Sequence, residues 1–273
     1  MPFEVRSLAE WEASGVPGML SVVIPAHNEE GHIGGTVQGL ADTLRGAGIS
    51  YEIVVVNDNS NDGTERILAR LSAADIGLRY VNNMPPNGFG FAVRRGLAEF
   101  RGDAVAIVMA DGSDDPVDLV AFFRKLEGGY DCVFGSRFVR GGQTIGYPKL
   151  KLLLNRTANL MIRILFLLRY NDVTNAFKLY RRSAIAGIQP LLSNHFNLTV
   201  ELPLKCIIRG YRYAVLPNSW KHRKEGASKL RIKEMGSRYL FIILYCWLER
   251  ALSRGDYRGQ QPYRESQLQV WHR

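Results

Sequence analysis

Two short hydrophobic runs, Leu20-Ser21-Val22-Val23-Ile24 and Tyr51-Glu52-Ile53-Val54-Val55-Val56, decide the fold of this chain. Each is rich in Val and Ile, and each is soon followed by acidic residues. That pattern is typical of parallel strands that are buried on both faces. A third run, residues 104–109, ends in Ala110-Asp111-Gly112-Ser113-Asp114-Asp115. Because open α/β sheets bind their ligands at the carboxyl ends of the strands, the sequence predicts an active site at that edge.

Helical patterns separate the strand patterns in the first half of the chain. Helices are predicted at 28–44, 62–71 and 91–100 and from Pro116 onward. Further strands are predicted at 78–81 and 131–134. Strands that alternate with single helices favour right-handed βαβ units and a mostly parallel sheet. The predicted fold class is therefore α/β, with helices flanking the sheet.

Composition sets limits on the class of protein. A chain of 273 residues can bury the core of one large domain, with or without an appendage. The formal net charge of +9 favours an anionic partner such as a nucleotide, a phospholipid surface or nucleic acid. Cys132, Cys206 and Cys246 are far apart and are predicted to be buried, reduced thiols. The N-terminus lacks the apolar core of a secretory signal, so we expect a cytosolic protein.

Two apolar segments in the second half are candidates for membrane contact. Residues 152–168 are interrupted by Arg156 and Arg163, which lie near one face of a helix. Residues 239–248 form a ten-residue apolar run with basic residues upstream. Neither is predicted to span a bilayer, because the first is short and charged and the second is about half the required length. Each is predicted either to lie at a membrane interface or to pack on the core.

Several motifs resemble those of the inverting family 2 glycosyltransferases with a GT-A fold. They are PAHNEE at 25–30, VVNDNSNDGT at 55–64 and NGFGFAVRRGL at 87–97. Within that family, GSRF at 135–138 and GASKL at 226–230 are similar to the dolichol-phosphate mannosyltransferase type. The resemblance implies transfer of a hexose, of mannose or glucose type, from a nucleotide-diphosphate sugar to a polyprenyl or dolichyl phosphate. It also implies a GT-A domain at 20–235, between an N-terminal extension at 1–19 and an amphipathic helix with a polar tail at 236–273.

The residues after the first two strands are predicted to hold the nucleoside of the donor. Carboxylates such as Glu29 and Asp58 accept hydrogen bonds from ribose hydroxyls and base edges. In the family, the positions that match Pro25, His27, Glu29, Asp58 and Asp62 surround the nucleoside. The alternative for Asp62 is to cap the following helix, and the alternative for Asp58 is to close a turn.

A glycine-containing loop precedes the third predicted helix. Gly88 and Gly90 let a backbone approach a ligand closely, and Arg94 or Arg95 is predicted to meet phosphate at the helix start. The pair Asn87-Gly88 alone is also typical of a tight turn.

The predicted metal site departs from the family pattern. Family members commonly carry Asp-x-Asp after the corresponding strand, where it holds a divalent cation against the donor diphosphate. Here Asp111 matches the second aspartate, and the first has no counterpart. Asp111 is therefore predicted to bind Mg²⁺ or Mn²⁺, with Asp114 and Asp115 as further candidates. The alternative for Asp114 and Asp115 is to cap the helix that begins at Pro116.

The acceptor side is predicted to gather positive charge. A lipid phosphate is already anionic, so its attack on the anomeric carbon requires alignment and charge neutralisation more than a base. By family correspondence, Arg137 and Lys229 are predicted to bind the acceptor phosphate or the diphosphate, with Arg223 and Arg156 as further candidates. Asp111, Arg137 and Lys229 are thus the predicted catalytic residues.

Other interpretations remain open at this point. Transfer to a polysaccharide or lipid hydroxyl would require a positioned base. The shortened aspartate motif is also compatible with a nucleotide-sugar-binding module without turnover. Nucleic-acid binding rests on net charge alone, and we expect no such partner. Glu201 matches a family position and is predicted to pair with a basic residue rather than to act in catalysis. The expected protein is a transferase bound peripherally to the cytosolic face of a membrane.

Overall fold

The computed structural model describes residues 17–74, 77–221, 232–253 and 255–257, with the backbone alone at 232–235. The strands in these ranges are β1 (Leu20–Ala26), β2 (Tyr51–Asn57), β3 (Leu78–Asn82), β4 (Ala104–Ile107), β5 (Cys132–Ser136), β6 (Gln143–Ile145), β7 (Lys178–Arg181), β8 (Tyr213–Pro217) and β9 (Ser219–Lys221). The helices are α1 (Ile33–Gly46), α2 (Thr64–Ala73), α3 (Phe89–Glu99), α4 (Pro116–Glu127), α5 (Lys149–Phe166), α6 (Arg182–Gly187), α7 (Leu198–Ile208) and α8 (Ile232–Leu252).

A seven-stranded sheet forms the middle layer, in the order β3-β2-β1-β4-β7-β5-β8. All of its strands run in one direction except β7, which is antiparallel to both β4 and β5. A separate two-stranded parallel sheet pairs β6 with β9. The prediction of an α/β fold with a mostly parallel sheet is confirmed. The antiparallel strand β7 was not predicted.

The core consists of two hydrophobic layers, one on each face of the sheet. Leu20, Val22 and Ile24 of β1 pack on one face with α1, α2 and α4. Val23, between them, packs on the other face with α3, α5, α7 and α8. The strand is buried on both faces, which explains why its sequence is a continuous apolar run rather than an alternating one.

The first helix begins later than predicted, at Ile33 instead of residue 28. Asn28 has a left-handed backbone with φ +53°, which a right-handed helix excludes. Its N–H donates a hydrogen bond to the Ser60 hydroxyl at 3.0 Å, in the loop after β2. The loops that follow β1 and β2 are therefore tied together before α1 starts.

Helices α5 and α8 pack on the core as one of their predicted alternatives states, and their contact with a membrane stays a prediction. Each packs on the core through a few buried residues, which are Asn159, Ile162 and Phe166 in α5 and Ile242, Cys246 and Glu249 in α8. Each also exposes large apolar side chains, which include Leu153, Met161 and Ile164 in α5 and Phe241, Leu244 and Trp247 in α8. Among the described helices, none is long and apolar enough to cross a membrane.

Some predictions concern residues that the structure does not describe. Arg223, Lys229, residues 1–16 of the N-terminal extension and the tail from residue 258 lie outside the described ranges. The domain boundary predicted between residues 235 and 236 falls inside α8, and it stays a prediction. Cys132, Cys206 and Cys246 are buried and free, in agreement with their prediction as buried thiols.

Candidate active site

A cleft with a volume of about 480 Å³ opens at the carboxyl ends of β1, β2 and β4. This is the edge at which the acidic strand ends were predicted to meet. Residues from both halves of the chain line it: Pro25, Ala26, His27, Glu29, Asp58, Gly88, Phe89, Ala92, Met109, Ala110, Asp111, Ser113, Tyr147, Pro148, Lys151, Phe196 and Trp220.

Asp58 organises the loop that leads into α3. Its Oδ1 accepts hydrogen bonds from the side-chain amides of Asn83 at 2.8 Å and Asn87 at 2.9 Å. Its Oδ2 accepts one from the backbone N–H of Gly88 at 2.8 Å. The carbonyl oxygen of Asp58 lies 2.7 Å from Nδ1 of His27. The structure thus supports the alternative role of Asp58 in a turn, and its predicted contact with the nucleoside stays a prediction at the same cleft.

Glu29 lies in the cleft together with Pro25 and His27, its neighbours at the end of β1. The backbone N–H of Glu29 donates to Oγ1 of Thr64 at 2.9 Å, and its carboxylate lies 3.5 Å from Nδ1 of His32. These contacts fix the position of the Glu29 carboxylate in the cleft. The three residues therefore share the site that the sequence predicted for them.

Asp62 lies at the start of α2 and is not among the residues that line the cleft. Its Oδ1 accepts hydrogen bonds from both the backbone N–H and the hydroxyl of Thr64, at 3.0 and 2.6 Å, and its Oδ2 accepts one from the N–H of Glu30 at 3.1 Å. Burial raises the pKa of Asp62, but these hydrogen bonds outweigh it and hold the pKa below its ordinary value. The carboxylate thus closes a turn just before α2, close to the capping role given as its alternative, and its contact with the nucleoside stays a prediction.

The glycine loop packs against segment 192–197, which precedes α7. Gly88 has φ +136°, and a Cβ on Gly90 would lie 2.3 Å from the carbonyl carbon of Asn194. Glycine is required at both positions for these reasons. Arg94 donates from Nη1 to Oδ1 of Asn194 at 2.7 Å and does not line the cleft. Arg94 therefore ties the two segments together, and its contact with phosphate stays a prediction.

Asp111 reaches the cleft from a tight turn after β4. Its Oδ1 accepts a hydrogen bond from the N–H of Ser113 at 3.1 Å, and Gly112 has the left-handed φ of +66° that the turn needs. The Ser113 hydroxyl oxygen is buried and has no hydrogen-bond partner within the described ranges. A buried hydroxyl without a partner costs free energy, so a polar ligand bound beside Asp111 would satisfy it.

The other two aspartates of the turn differ in their surroundings. Asp114 is 7 % exposed, and its Oδ2 accepts a hydrogen bond from the N–H of Met109 at 3.1 Å. Burial, together with the negative charge of Asp111, raises the pKa of Asp114 to about 7. Asp115 instead caps α4, with its Oδ1 accepting from the N–H of Val117 at 3.0 Å. The structure therefore supports the alternative, capping role for Asp115, and its role as a metal ligand stays an untested prediction.

The residues around Asp111 fit a hard divalent cation that a substrate helps to bind. Among the described residues, no group of three or more His, Cys, Asp or Glu side chains could hold a metal ion. Mg²⁺ in proteins is commonly bound by one or two carboxylates, with substrate phosphates and water completing the octahedron. Asp111 supplies one carboxylate, and a cation bound beside it would favour the charged form of the buried Asp114 carboxyl. The metal site stays a prediction, for which these two residues are the best placed.

Arg137 forms a buried ion pair with Asp172 at the end of β5. Its Nε and Nη2 donate to the two carboxylate oxygens at 2.8 and 2.7 Å, and its backbone N–H donates to the same carboxylate at 2.9 Å. Burial lowers the pKa of Arg137, but the hydrogen bonds and charge of Asp172 outweigh it and the net shift is upward. Arg137 does not line the cleft, and its guanidinium lies 5.6 Å from the ring of Tyr147, which does. These contacts give Arg137 a supporting place behind the cleft wall, and its contact with phosphate stays a prediction.

The sheet of β6 and β9 brings an aromatic wall to the cleft. Tyr147 follows β6 and Trp220 lies in β9, and their ring centroids are 4.8 Å apart. The N–H of Lys221 donates to the carbonyl oxygen of Ser113 at 3.0 Å, so β9 is attached to the turn that carries Asp111. Lys151, in the first turn of α5, lines the cleft on the same side and is the permanent cation among the lining residues.

Sequence reasoning missed five of the lining residues: Tyr147, Pro148, Lys151, Phe196 and Trp220. Strands β6 and β9 have three residues each, too few for a recognisable hydrophobic pattern. The signal that was available was weak and consisted of aromatic residues beside lysines, at 147–151 and 220–221. Arg156 was predicted as a possible phosphate ligand, but it is exposed, with its guanidinium 4.6 Å from the ring of Phe138.

Comparison with known sequences gives one family and several relatives. The sequence model of the family described as Glycosyl transferase family 2 matches residues 21–188. A polyprenol monophosphomannose synthase from Mycolicibacterium smegmatis is 30 % identical over 215 residues, which cover 77 % of this chain and 80 % of that protein. A dolichol-phosphate mannosyltransferase from Pyrococcus furiosus is 27 % identical over 216 residues, which cover 78 % of this chain and 60 % of that protein.

Comparison with solved structures gives the same fold. Glucosyl-3-phosphoglycerate synthase from Mycobacterium tuberculosis, crystallised with Mn²⁺, uridine diphosphate and phosphoglyceric acid, superposes with a TM-score of 0.64 at 20 % identity. That match covers 92 % of this chain and 84 % of the other. The same enzyme with Mg²⁺ and uridine diphosphate gives a TM-score of 0.60 at 19 % identity, with the same coverage. At these identities the likeness establishes the fold.

Proposed function

Because the chain belongs to glycosyl transferase family 2, we propose that it transfers a hexose from a nucleotide-diphosphate sugar to a polyprenyl phosphate with inversion at the anomeric carbon. One observation carries this proposal. A single cleft combines the carboxylates Glu29, Asp58 and Asp111 with the cation Lys151. Carboxylates suit the hydroxyls of a nucleoside and a metal-bound diphosphate, whereas a lysine suits a second, anionic substrate. The names of the two relatives favour mannose as the hexose and a polyprenyl or dolichyl phosphate as the acceptor.

The donor would lie along the carboxyl ends of β1, β2 and β4. Glu29, His27 and Asp58 line the part of the cleft beside β1 and β2 and would face the nucleoside, whereas Asp111, after β4, would face the diphosphate. Asp111, with Asp114 behind it, would hold Mg²⁺ or Mn²⁺. That cation stabilises the negative charge of a departing nucleoside diphosphate as a Lewis acid. The Ser113 hydroxyl supplies a further polar group at the same point.

The acceptor phosphate would bind at Lys151. This residue lies at the start of α5, where Pro148 and Tyr147 also line the cleft. The exposed side chain of Leu150 precedes it, and those of Leu153 and Leu154 follow it along the helix. A phosphate at Lys151 would therefore place its hydrocarbon chain on an apolar surface. The lysine neutralises the phosphate, which needs no proton removal before it attacks, so the site requires no general base.

The exposed apolar faces of α5 and α8 support peripheral association with a membrane. Large apolar side chains on the surface of a soluble helix are unfavourable in water unless they contact another apolar phase. Interfacial helices bury such a face at the boundary of headgroups and acyl chains. An acceptor with a long prenyl chain resides in that phase. The enzyme would thus take a soluble donor from the cytosol and a lipid acceptor from the bilayer.

A transfer assay tests the proposed function. The full chain is incubated with Mn²⁺, with GDP-mannose or UDP-glucose, and with either a polyprenyl phosphate or the corresponding polyprenol, and lipid products are detected by mass spectrometry. We expect a hexosyl-phosphoprenol from the phosphate and no product from the alcohol. A product formed from the alcohol would favour the hydroxyl-acceptor alternative, and no product from any donor would favour a binding module.

The matched variants are Asp111→Asn and Asp115→Asn. They make the same chemical change four residues apart, but only Asp111 lines the cleft, whereas Asp115 caps α4 and asparagine is also a good cap. Transfer should fall by at least about a hundredfold for Asp111→Asn, in the range that electrostatic stabilisation of a transition state supplies. Equal activity of the two variants would contradict the metal assignment.

A further inference from the structure

Segment 192–197 forms one wall of the cleft. Phe196 lines the cleft and stacks on Phe89, with ring centroids 4.2 Å apart and an interplanar angle of 11°. The backbone at Asn194 packs so closely on Gly90 that no side chain fits between them. The position of the segment therefore determines the position of the glycine loop, whose Gly88 N–H is bound by Asp58.

A fully buried carboxylate holds the start of this segment. Glu201 lies in the first turn of α7, and its Oε1 and Oε2 accept hydrogen bonds from the backbone N–H groups of Leu192 and Ser193, both at 2.7 Å. Nζ of Lys205, one turn further along, lies 2.8 Å from Oε1 and also donates to the carbonyl oxygen of Pro190. A buried charge is costly unless it is paired and hydrogen-bonded. Here both carboxylate oxygens are bonded to the backbone of the cleft wall.

The end of the segment is held by α8. The Tyr239 hydroxyl donates a hydrogen bond to the carbonyl oxygen of Phe196 at 3.2 Å. The side-chain amide of Asn197 donates to the carbonyl oxygen of Arg238 at 3.4 Å. The segment is thus fixed at both ends by residues that do not line the cleft.

We propose that Glu201 is a positioning residue for the nucleotide donor, which it serves by fixing segment 192–197 against the glycine loop. This inference rests on the proposed function and assigns Glu201 a role in donor binding in addition to its ion pair with Lys205. Without the carboxylate, the N–H groups of Leu192 and Ser193 lose their acceptors, and the segment no longer holds Phe196 against Phe89. The donor would then have to order the wall as it binds, which weakens its affinity.

Titration calorimetry with UDP and with GDP, each with Mn²⁺, tests this inference on the full chain. The variants are Glu201→Gln, the double variant Glu201→Gln/Lys205→Met, which removes the ammonium that would be left unpaired, and Tyr239→Phe, which removes one hydroxyl from the other end of the segment. We expect the Kd of the nucleotide that the wild type binds to rise about tenfold in each. In transfer assays the donor KM should rise while the acceptor KM stays unchanged.

Two control variants make the same chemical changes elsewhere in the same layer. Glu249→Gln breaks a buried ion pair with Arg209, in which Nε and Oε1 are 2.7 Å apart, and Tyr211→Phe removes a hydroxyl that lies 3.4 Å from the carbonyl oxygen of Ser183. Both should lower Tm without changing the nucleotide Kd. A general effect of lost stability would instead raise Kd in all variants alike, which would overturn the inference.

The outcomes are separable from those of the proposed function. Wild-type nucleotide affinity in either the double variant or Tyr239→Phe would overturn the inference alone. Absence of nucleotide binding by the wild-type chain would overturn the proposed function and this inference with it. If Glu201→Gln does not fold, the other two variants still decide the question.

Discussion

The carboxylate of Asp58 accepts a hydrogen bond from the backbone N–H of Gly88 at 2.8 Å and thereby joins the end of β2 to the start of α3. Asn83 and Asn87 donate to the same carboxylate, so three donors converge on one side chain. Two of the chain's motifs, at 55–64 and 87–97, are therefore parts of one structure at the cleft.

We expect Asp58→Asn to weaken donor binding more than acceptor binding. The amide accepts through one oxygen only and presents an N–H₂ group to at least one N–H donor, so part of the network is lost. The donor KM should rise about tenfold or more, and the free energy of unfolding should fall by about 1–3 kcal/mol. Steady-state kinetics with each substrate varied in turn, together with urea unfolding, measures both. A rise in acceptor KM alone would contradict the assignment of Asp58 to the donor side of the cleft.

Lys151→Ala should impair the acceptor selectively. Removal of the cation leaves the lipid phosphate without charge neutralisation, so the acceptor KM should rise about tenfold or more while nucleotide binding is unchanged. The matched control is Lys149→Ala, because Lys149 is exposed in the same helical turn but does not line the cleft. If the two variants have the same acceptor KM, the phosphate is not bound at Lys151.

The apolar face of α5 is expected to contact lipid. Ile164→Glu should reduce cosedimentation with anionic lipid vesicles several-fold, because it places a charge on the face that would enter the interface. Val117→Glu provides a control on α4, since Val117 is 64 % exposed and Ile164 is 66 % exposed. Both variants should keep the Tm of the wild type. Equal vesicle binding by both would show that α5 does not dock on the membrane.

Burial of Asp114 should make stability depend on pH. Its pKa is raised to about 7 in the folded state. The stability that its protonated form contributes is therefore fully present below the unfolded pKa, near 4, and is lost as pH rises through about 7. In EDTA, the wild type should lose about 2.5 kcal/mol relative to Asp114→Asn between pH 5 and pH 8. Urea unfolding at the two pH values measures this, and a constant difference between the proteins would mean that Asp114 is not buried as a neutral acid.

Much of the fold could be predicted from sequence because β1, β2 and β4 are buried on both faces. Their sequences are therefore short runs rich in Val, Ile and Ala. Strand β7 escaped prediction because its four residues, Lys178–Arg181, include a buried lysine. The Nζ of Lys178 donates hydrogen bonds to carbonyl oxygens of Val173 and Thr199 at 3.0 and 3.1 Å. No local pattern indicates such a tertiary environment.

The parts of the candidate site at acidic strand ends could be predicted from sequence. The parts that depend on contacts between segments distant in sequence could not. Glu29, Asp58 and Asp111 follow strands and share the cleft. Arg137 also follows a strand, but its Nε and Nη2 donate hydrogen bonds to the carboxylate of Asp172, which lies 35 residues away in sequence. Tyr147 and Trp220 reach the cleft beside the pairing of β6 with β9, and Lys151 reaches it from the first turn of α5, which only the folded chain reveals.

The stereochemistry of the lipid product tests the central claim most directly. The full chain is given GDP-mannose, whose mannose is α-linked, with Mn²⁺ and a polyprenyl phosphate, and the anomeric configuration of the isolated product is determined by NMR. The account predicts a β-linked mannosyl phosphate, because a single displacement by the acceptor phosphate inverts the anomeric carbon. An α-linked product, or nucleotide binding by the wild type without any transfer to the lipid phosphate from GDP-mannose or UDP-glucose, would contradict it.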